Sequence, residues 1–258
     1  MQMSETSLTE DRASRIDALA RHPWRLAAGV AIVAVALFIP VLTSGTFVTD
    51  DDSVLRVSLV SHVRNVPAIF GRDFMIHTDG VYRPLPCALL ATVRTVVPPD
   101  AVTFWRLWML AFHVVAALLV WRLAREFTAR TLPPLAALAV FLCHPLASSV
   151  AGQINLFGLT LGVVLYLGCL LAYVRFARTR RRRFYALALA LFALGLFTSR
   201  VILSLPVLLV CLDLFGWRTH PLRALLRLAP FALLIVGPAY LWLTLRPHPI
   251  FYAYPQKA

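Results

Sequence analysis

Apolar residues gather along the chain into long runs that are separated by short polar stretches. Several runs hold almost no charge and are long enough to cross a hydrocarbon core of about 30 Å at 1.5 Å per residue. This pattern predicts an all-α integral membrane protein. The seven runs predicted as transmembrane helices are residues 26–42, 103–121, 132–146, 154–176, 184–198, 201–215 and 228–245.

Arginines decide how these runs are divided. Some runs hold only about 15 residues, so 132–176 and 184–215 could each be one long helix instead. Basic residues mark the cytoplasmic ends of spans, and arginine clusters precede the third run and follow the fourth and sixth. The runs between clusters therefore form hairpins, which predicts seven spans with a cytoplasmic N-terminus. The clusters are Arg122, Arg125 and Arg130; Arg175, Arg178 and residues 180–183; and Arg218, Arg223 and Arg227.

The predicted organisation has three parts. Residues 1–25 form a cytoplasmic tail whose length indicates an uncleaved anchor, residues 26–245 form the seven-span module, and residues 246–258 form an extracytoplasmic tail. Residues 44–102 become one large outer loop. Apolar residues recur at helical spacing over 54–63, which predicts an amphipathic helix lying on the membrane surface.

Composition supports the membrane class and excludes others. The chain is 60% hydrophobic and 14% charged, and its mean hydropathy is +0.76. The net charge of +13 lies at the ends of apolar runs rather than on one soluble face, which argues against nucleic-acid binding. All basic residues except Lys257 are arginine, which hints at a GC-rich bacterial genome. We therefore expect a multi-pass protein of the bacterial plasma (inner) membrane.

Three adjacent carboxylates follow the first run in "FVTDDDS": Asp50, Asp51 and Asp52. One acid at a helix start is explained by capping of free N–H groups. Three exceed what capping needs, so a functional role stays open beside the structural one. Adjacent carboxylates could also hold Mg²⁺ or Mn²⁺, but the sequence shows no complete ligand set.

Four other polar residues lie on the predicted outer side, and three of them have two interpretations each. Tyr82 and Arg83 in "VYRPL" are either an interfacial anchor or a donor group for a phosphate. His144, before Pro145 at a turn, is either a ligand or merely solvated. Arg200 lies at a hairpin tip, and we expect it slightly below the membrane surface, where a charge needs a partner.

Polar and aromatic residues inside the predicted spans are expected to have structural roles. His113 is expected to hydrogen-bond to a neighbouring helix. Asp213, near the cytoplasmic end of the sixth span, is interpreted as structural. Trp105 and Trp108 open the second span as an expected interfacial belt.

The order of several short motifs resembles that of a known enzyme group. "FVTDDDS", "IFGRDF", "YRPL", "FH", "HP" and "LP…LDLF" are similar to the GT-C superfamily of membrane glycosyltransferases. The nearest resemblance is to O-mannosyltransferases with transmembrane and tetratricopeptide-repeat regions and to their bacterial relatives, over residues 25–245. It implies transfer of a sugar from a polyprenyl-phosphate carrier to an acceptor hydroxyl outside the cytoplasm.

The resemblance also implies roles for individual residues. Asp50 and Asp51 match the acidic pair that acts as general base. The partners it implies are a polyprenyl-phosphate-linked sugar and membrane lipid, with an undefined protein or glycan acceptor. The residues it places at the substrate are Asp52, Tyr82, Arg83, His144 and Arg200.

Departures from the family pattern keep a second interpretation open. Ser149 lies near the place of a usual Glu, and "TSR" at 198–200 replaces a usual Ser-Lys-Glu. The chain also has no repeat domain. It is therefore either a truncated or divergent enzyme, or a non-catalytic membrane protein that binds carrier lipid or scaffolds a partner.

Overall fold

The computed structural model shows a helical chain. The residues that it describes contain no β-strand, which confirms the predicted all-α class. The predicted tail 246–258 and most of the tail 1–25 lie outside the described residues. The structure describes residues 23–46, 51–71, 82–218 and 220–244.

Long apolar helices indicate that this is a membrane protein. Large apolar side chains also cover the outside of the bundle. Ile32 is 70% exposed and Leu233 is 72% exposed, as expected of residues that face lipid. Three helical stretches in the described part are long and apolar enough to cross a membrane: Val102–Phe127, Ile154–Thr179 and Pro221–Leu241.

Each of the seven apolar runs contains at least one helix. The helix Leu205–Cys211 continues into a π-helical turn, Leu212–Gly216. The α-helices of the described residues are α1 (Pro23–Thr43), α2 (Asp51–Arg56), α3 (Val66–Gly71), α4 (Pro84–Arg94), α5 (Val102–Phe127), α6 (Leu132–Cys143), α7 (Pro145–Gly152), α8 (Phe157–Thr179), α9 (Arg182–Leu196), α10 (Leu205–Cys211) and α11 (Pro221–Thr244).

The helices α5 and α8 lie side by side and run in the same direction. In the first half of α5, the ring of Phe112 packs on that of Phe157, the first residue of α8, with centroids 5.1 Å apart. Near their ends, Arg175 Nε lies 3.3 Å from Glu126 Oε1. We call the end of the bundle at these starts the Asp51 end, and the opposite end the Glu126 end.

The neighbouring helices return in the opposite direction. His113, midway along α5, stacks on Phe141 at the end of α6, so α6 runs towards the Asp51 end. The helix α9 also runs that way, because Ser199, just beyond it, lies against Gly162 near the start of α8. A Cβ on Gly162 would lie 2.7 Å from Ser199 Cβ, so only glycine permits this approach.

The helices are interrupted at both places where the arginine clusters predicted a hairpin. His144 has an extended backbone (φ −61°, ψ 135°) and precedes Pro145, which disfavours helical geometry at the residue before it. The helix α6 therefore ends at Cys143. A second break separates α9 from α10, with a 3₁₀ segment at Arg200–Ser204. Neither 132–176 nor 184–215 forms one continuous helix.

The prediction of a single amphipathic helix over 54–63 is wrong. The chain forms α2 and then two 3₁₀ turns, Ser58–Val60 and Val63–Asn65. Ser61 Oγ and Asn65 Nδ2 both donate to the backbone oxygen of Ser58, and such local bonds compete with helical ones. Val54, Leu55 and Val60 are buried in the protein core instead of facing a membrane surface.

Candidate functional site

Asp51 is a buried carboxylate in the first turn of α2. Its Oδ1 accepts the backbone N–H of Asn155 at 3.0 Å, across 104 residues of sequence. The side chain has no exposed surface. This bond fixes the acidic run against the segment that leads into α8, which is more than capping of its own short helix would require.

Arg106, which received no role in the sequence analysis, holds the chain before the acidic run. It lies in α5 and is 1% exposed. Its guanidinium donates to the backbone oxygens of Val41, Ser44 and Thr46, and lies 2.7 Å from Ser44 Oγ. It also attracts the charge of Asp51. An arginine inside an otherwise apolar run was the signal that could have identified it.

Of the two tryptophans expected at the interface, Trp105 lies in the protein core instead. Trp105 is fully buried, and its Nε1 donates to the backbone oxygen of Pro98 at 3.0 Å. Trp108 packs on Phe157, with ring centroids 6.0 Å apart. Trp105 belongs to the core that the loop segments form with α5 and α8, and Trp108 packs against this core while partly exposed.

Tyr82 and Arg83 stand immediately before α4. The Tyr82 hydroxyl donates to the backbone oxygen of Phe70 at 2.7 Å, and burial raises the pKa of this phenol, so it stays protonated. Arg83 reaches the first turn of α8: a Cβ on Gly158 would lie 3.6 Å from Arg83 Cδ and 3.7 Å from the backbone oxygen of Thr198. The structure therefore brings Arg83, the start of α8 and the "TSR" segment together.

Three other predicted site residues have the following positions. Asp52 lies 2.7 Å from Arg56, which also pairs with Asp100, so that the three side chains form a partly exposed ion-pair group. Arg200 is exposed at the start of its 3₁₀ segment. His144 is also exposed, and its Nδ1 accepts the N–H of Leu146 at 3.2 Å as the cap of α7.

Part of the predicted site lies outside the described residues. This applies to Asp50 and to residues 72–81. Among the described residues, no three His, Cys, Asp or Glu side chains meet as a metal site. Within the described part, Asp51 accepts a backbone N–H, and the cation of Arg106 attracts its charge.

No family model, curated protein or solved structure matches the chain. Its function must therefore be inferred from the positions of these residues.

A second buried carboxylate lies far from this group. Asp213, in the π-helical turn after α10, has no exposed surface. Its Oδ2 accepts from the Tyr173 hydroxyl at 2.9 Å and from Arg227 Nη1 at 3.2 Å. It thereby ties α8, the π-helical turn and α11 together. This agrees with the structural role expected for Asp213.

At the Glu126 end, one carboxylate is surrounded by arginines. Glu126 lies within 3.7 Å of Arg122, 3.3 Å of Arg175 and 3.4 Å of Arg178. Two of the sequence clusters of arginine therefore meet at this end of the bundle, while Asp51 and Arg83 lie at the other.

Proposed function

We propose that the chain is a membrane glycosyltransferase of the GT-C type, which moves a sugar from a polyprenyl-phosphate carrier to an acceptor hydroxyl. One observation supports this proposal most. Asp51 and Arg83, from two separate segments of the loop 44–102, both reach the start of α8. The transfer needs a carboxylate and a cation at one end of an apolar bundle, and Asp51 and Arg83 both lie at that end.

The carboxylate of Asp50 or Asp51 accepts the acceptor's hydroxyl proton as that oxygen attacks the anomeric carbon of the sugar. The bond between the anomeric carbon and the phosphate oxygen breaks, and polyprenyl phosphate leaves as an anion. Arg83 and Arg200 stabilise that anion, since guanidinium groups bind phosphate through paired donors. The start of α8 adds the positive end of a helix dipole.

Substitution of the acidic run tests this function. We expect Asp50→Asn and Asp51→Asn each to lower transfer at least about a hundredfold, because amides cannot accept the proton. The measurement is sugar release and transfer from radiolabelled polyprenyl-phosphate-mannose by the purified protein. Asp100→Asn is the matched control, since this exposed carboxylate pairs only with Arg56 among the described residues; it should keep full activity.

Burial of Asp51 favours a second candidate function. A carboxylate with no exposed surface that binds a backbone N–H is also what a structural anchor requires. In that case the chain binds carrier lipid or scaffolds a partner without catalysis. Carrier binding that is unchanged in both variants, with no turnover in any form of the protein, would identify this alternative and exclude the enzyme.

We further propose seven membrane crossings in a bacterial plasma membrane, with the Glu126 end in the cytoplasm. The alternating direction of the helices supports the crossings. The gathering of Arg122, Arg175 and Arg178 around Glu126 supports the orientation, because basic residues are enriched on the cytoplasmic side.

Accessibility of single cysteines measures this orientation. The four native cysteines are replaced by alanine, and one new cysteine is introduced at Asp100 or at Arg181, both exposed. A membrane-impermeant maleimide should label Asp100→Cys in intact cells and Arg181→Cys only after lysis. The reverse result would invert the proposed orientation, and labelling of both in intact cells would contradict an odd number of crossings between them.

A further inference from the structure

A cavity of about 700 Å³ opens between α5, α6, α7 and α8. This volume lies in the range of about 300–1,000 Å³ that is usual for small-molecule sites. Its rim is at the protein surface, where Val140 and Leu146 are each 67% exposed. In a membrane, such an opening faces lipid, so a ligand would enter from the side rather than from water.

The cavity wall is apolar and uncharged. Ten of its 13 lining residues are aliphatic or Phe, and the polar ones are His113, His144 and Thr160. No Lys, Arg, Asp or Glu lines it. A phosphate group would find no cation here, so the cavity does not suit the anionic head of a carrier lipid.

His113 is the polar group at the inner wall. Its ring is 5% exposed and stacks on Phe141, with centroids 5.2 Å apart. It also hydrogen-bonds to the backbone of Leu142, whose carbonyl is one of the last four of α6 and has no acceptor role within that helix. The prediction that His113 bonds to a neighbouring helix is therefore confirmed.

The second nitrogen of His113 has no partner. Nε2 is buried and bonds to nothing among the described residues. The contact with the Leu142 carbonyl therefore belongs to Nδ1, which carries the hydrogen, and Nε2 presents a lone pair. Thr160 donates its hydroxyl hydrogen to the backbone oxygen of Leu156 at 3.2 Å, so it too offers only acceptor capacity. The inner wall thus requires a hydrogen-bond donor from the ligand.

We propose that this cavity binds an uncharged membrane lipid alcohol. Its hydroxyl donates to His113 Nε2, and its hydrocarbon chain lies along the apolar walls of α6 and α8. Of the residues predicted at the sugar-transfer site, His144 alone also lines this cavity. The proposal does not depend on the proposed enzyme function. A buried acceptor left unpaired is unfavourable, which supplies the preference for an alcohol over a plain hydrocarbon.

Photolabelling of the full chain in lipid nanodiscs tests the proposal. The probe is a hexadecanol that carries a diazirine, and its methyl ether is the matched ligand control because it lacks only the donor. We expect the alcohol to label residues of α5 and α6 about tenfold more than the ether does, the effect of one net hydrogen bond. Unlabelled farnesol should compete with the probe, whereas farnesyl phosphate should not.

Two variants locate the site. His113→Phe keeps an aromatic ring against Phe141 but removes the acceptor, so alcohol labelling should fall to the level of the ether. Ala137→Trp fills the cavity from α6 while His113 itself is kept, and it should abolish labelling by both probes. His220→Phe, which replaces a histidine outside the cavity, should change nothing.

Equal labelling by alcohol and ether in the unmodified protein would overturn the proposal, and this result does not depend on the folding of any variant. Competition by farnesyl phosphate as strong as that by farnesol would also overturn it, since the cavity would then accept an anionic head. Preference for the alcohol that persists in Ala137→Trp would place the binding elsewhere.

Discussion

Replacement of Arg106 by Met is expected to lower the free energy of unfolding by about 3–5 kcal/mol, because hydrogen bonds to a charged group contribute about 1.5–3 kcal/mol each. The guanidinium is 1% exposed and donates to three backbone oxygens beyond or at the end of α1. Met fills similar volume but leaves these oxygens without a donor. It also leaves the buried Asp51 without its neighbouring cation.

The measurement is denaturant or thermal unfolding in detergent, compared with two matched variants. Arg106→Lys keeps the charge near Asp51 but loses the planar fork of donors, so its loss should be smaller, about 1–3 kcal/mol. Arg64→Met removes an exposed arginine and should change stability by less than about 0.5 kcal/mol. Similar values for Arg106→Met and Arg64→Met would show that Arg106 does not hold the end of α1.

Arg227→Met is expected to cost about 3–5 kcal/mol as well, because it leaves the Asp213 carboxylate buried with only the Tyr173 hydroxyl as a donor. The double variant Asp213→Leu/Arg227→Met removes both charges together. Its loss should be clearly smaller than the sum of the two single losses, since no uncompensated charge stays buried.

A double-mutant cycle on unfolding free energies measures this coupling, with Arg223→Met as the control in the same helix. Arg223 is exposed and makes no ion pair with a described residue, so its loss should be small. Strict additivity of Asp213→Leu and Arg227→Met would contradict a coupled pair. The two residues would then stabilise the junction of α8 and α11 independently.

The helices were predictable from sequence because the signals that define them are local. Apolar runs and arginine clusters can each be recognised within about ten to twenty residues, and they predicted the breaks near His144 and after α9. Pro145 is a local signal of the same kind. The hydrogen bond of His113 to a neighbouring helix was also predictable locally, because a single polar side chain in an apolar helix needs a partner.

The candidate site was less predictable because its contacts are long-range. The bond between Asp51 and Asn155 joins positions 104 residues apart, and no local sequence pattern around either residue predicts it. Arg106 is recognisable as a charge inside an apolar run, but its acceptors are not, since they are backbone oxygens 60 to 65 residues earlier. Trp105 was assigned to an interface because the loop segments that cover it were not predictable from periodicity.

The helical segments of the loop show where helical spacing alone misleads. Over 54–63, apolar residues recur as in a helix, yet Ser61 and Asn65 bond to the Ser58 carbonyl and shorten the regular structure to single turns. Buried apolar side chains at that spacing are equally well satisfied by a folded loop that packs on α4 and α5.

The helices of this bundle differ too much in length to match a bilayer of even thickness. α6 has 12 residues and is therefore about 18 Å long, whereas α5 has 26 residues and is about 39 Å long. The hydrocarbon core is about 30 Å thick, so the seven crossings proposed above require the bilayer to thin beside α6. Such hydrophobic mismatch costs fractions of a kcal/mol per Å and sorts proteins among membranes. A crossing by this short helix would therefore favour thin bilayers on the side where the lateral cavity opens.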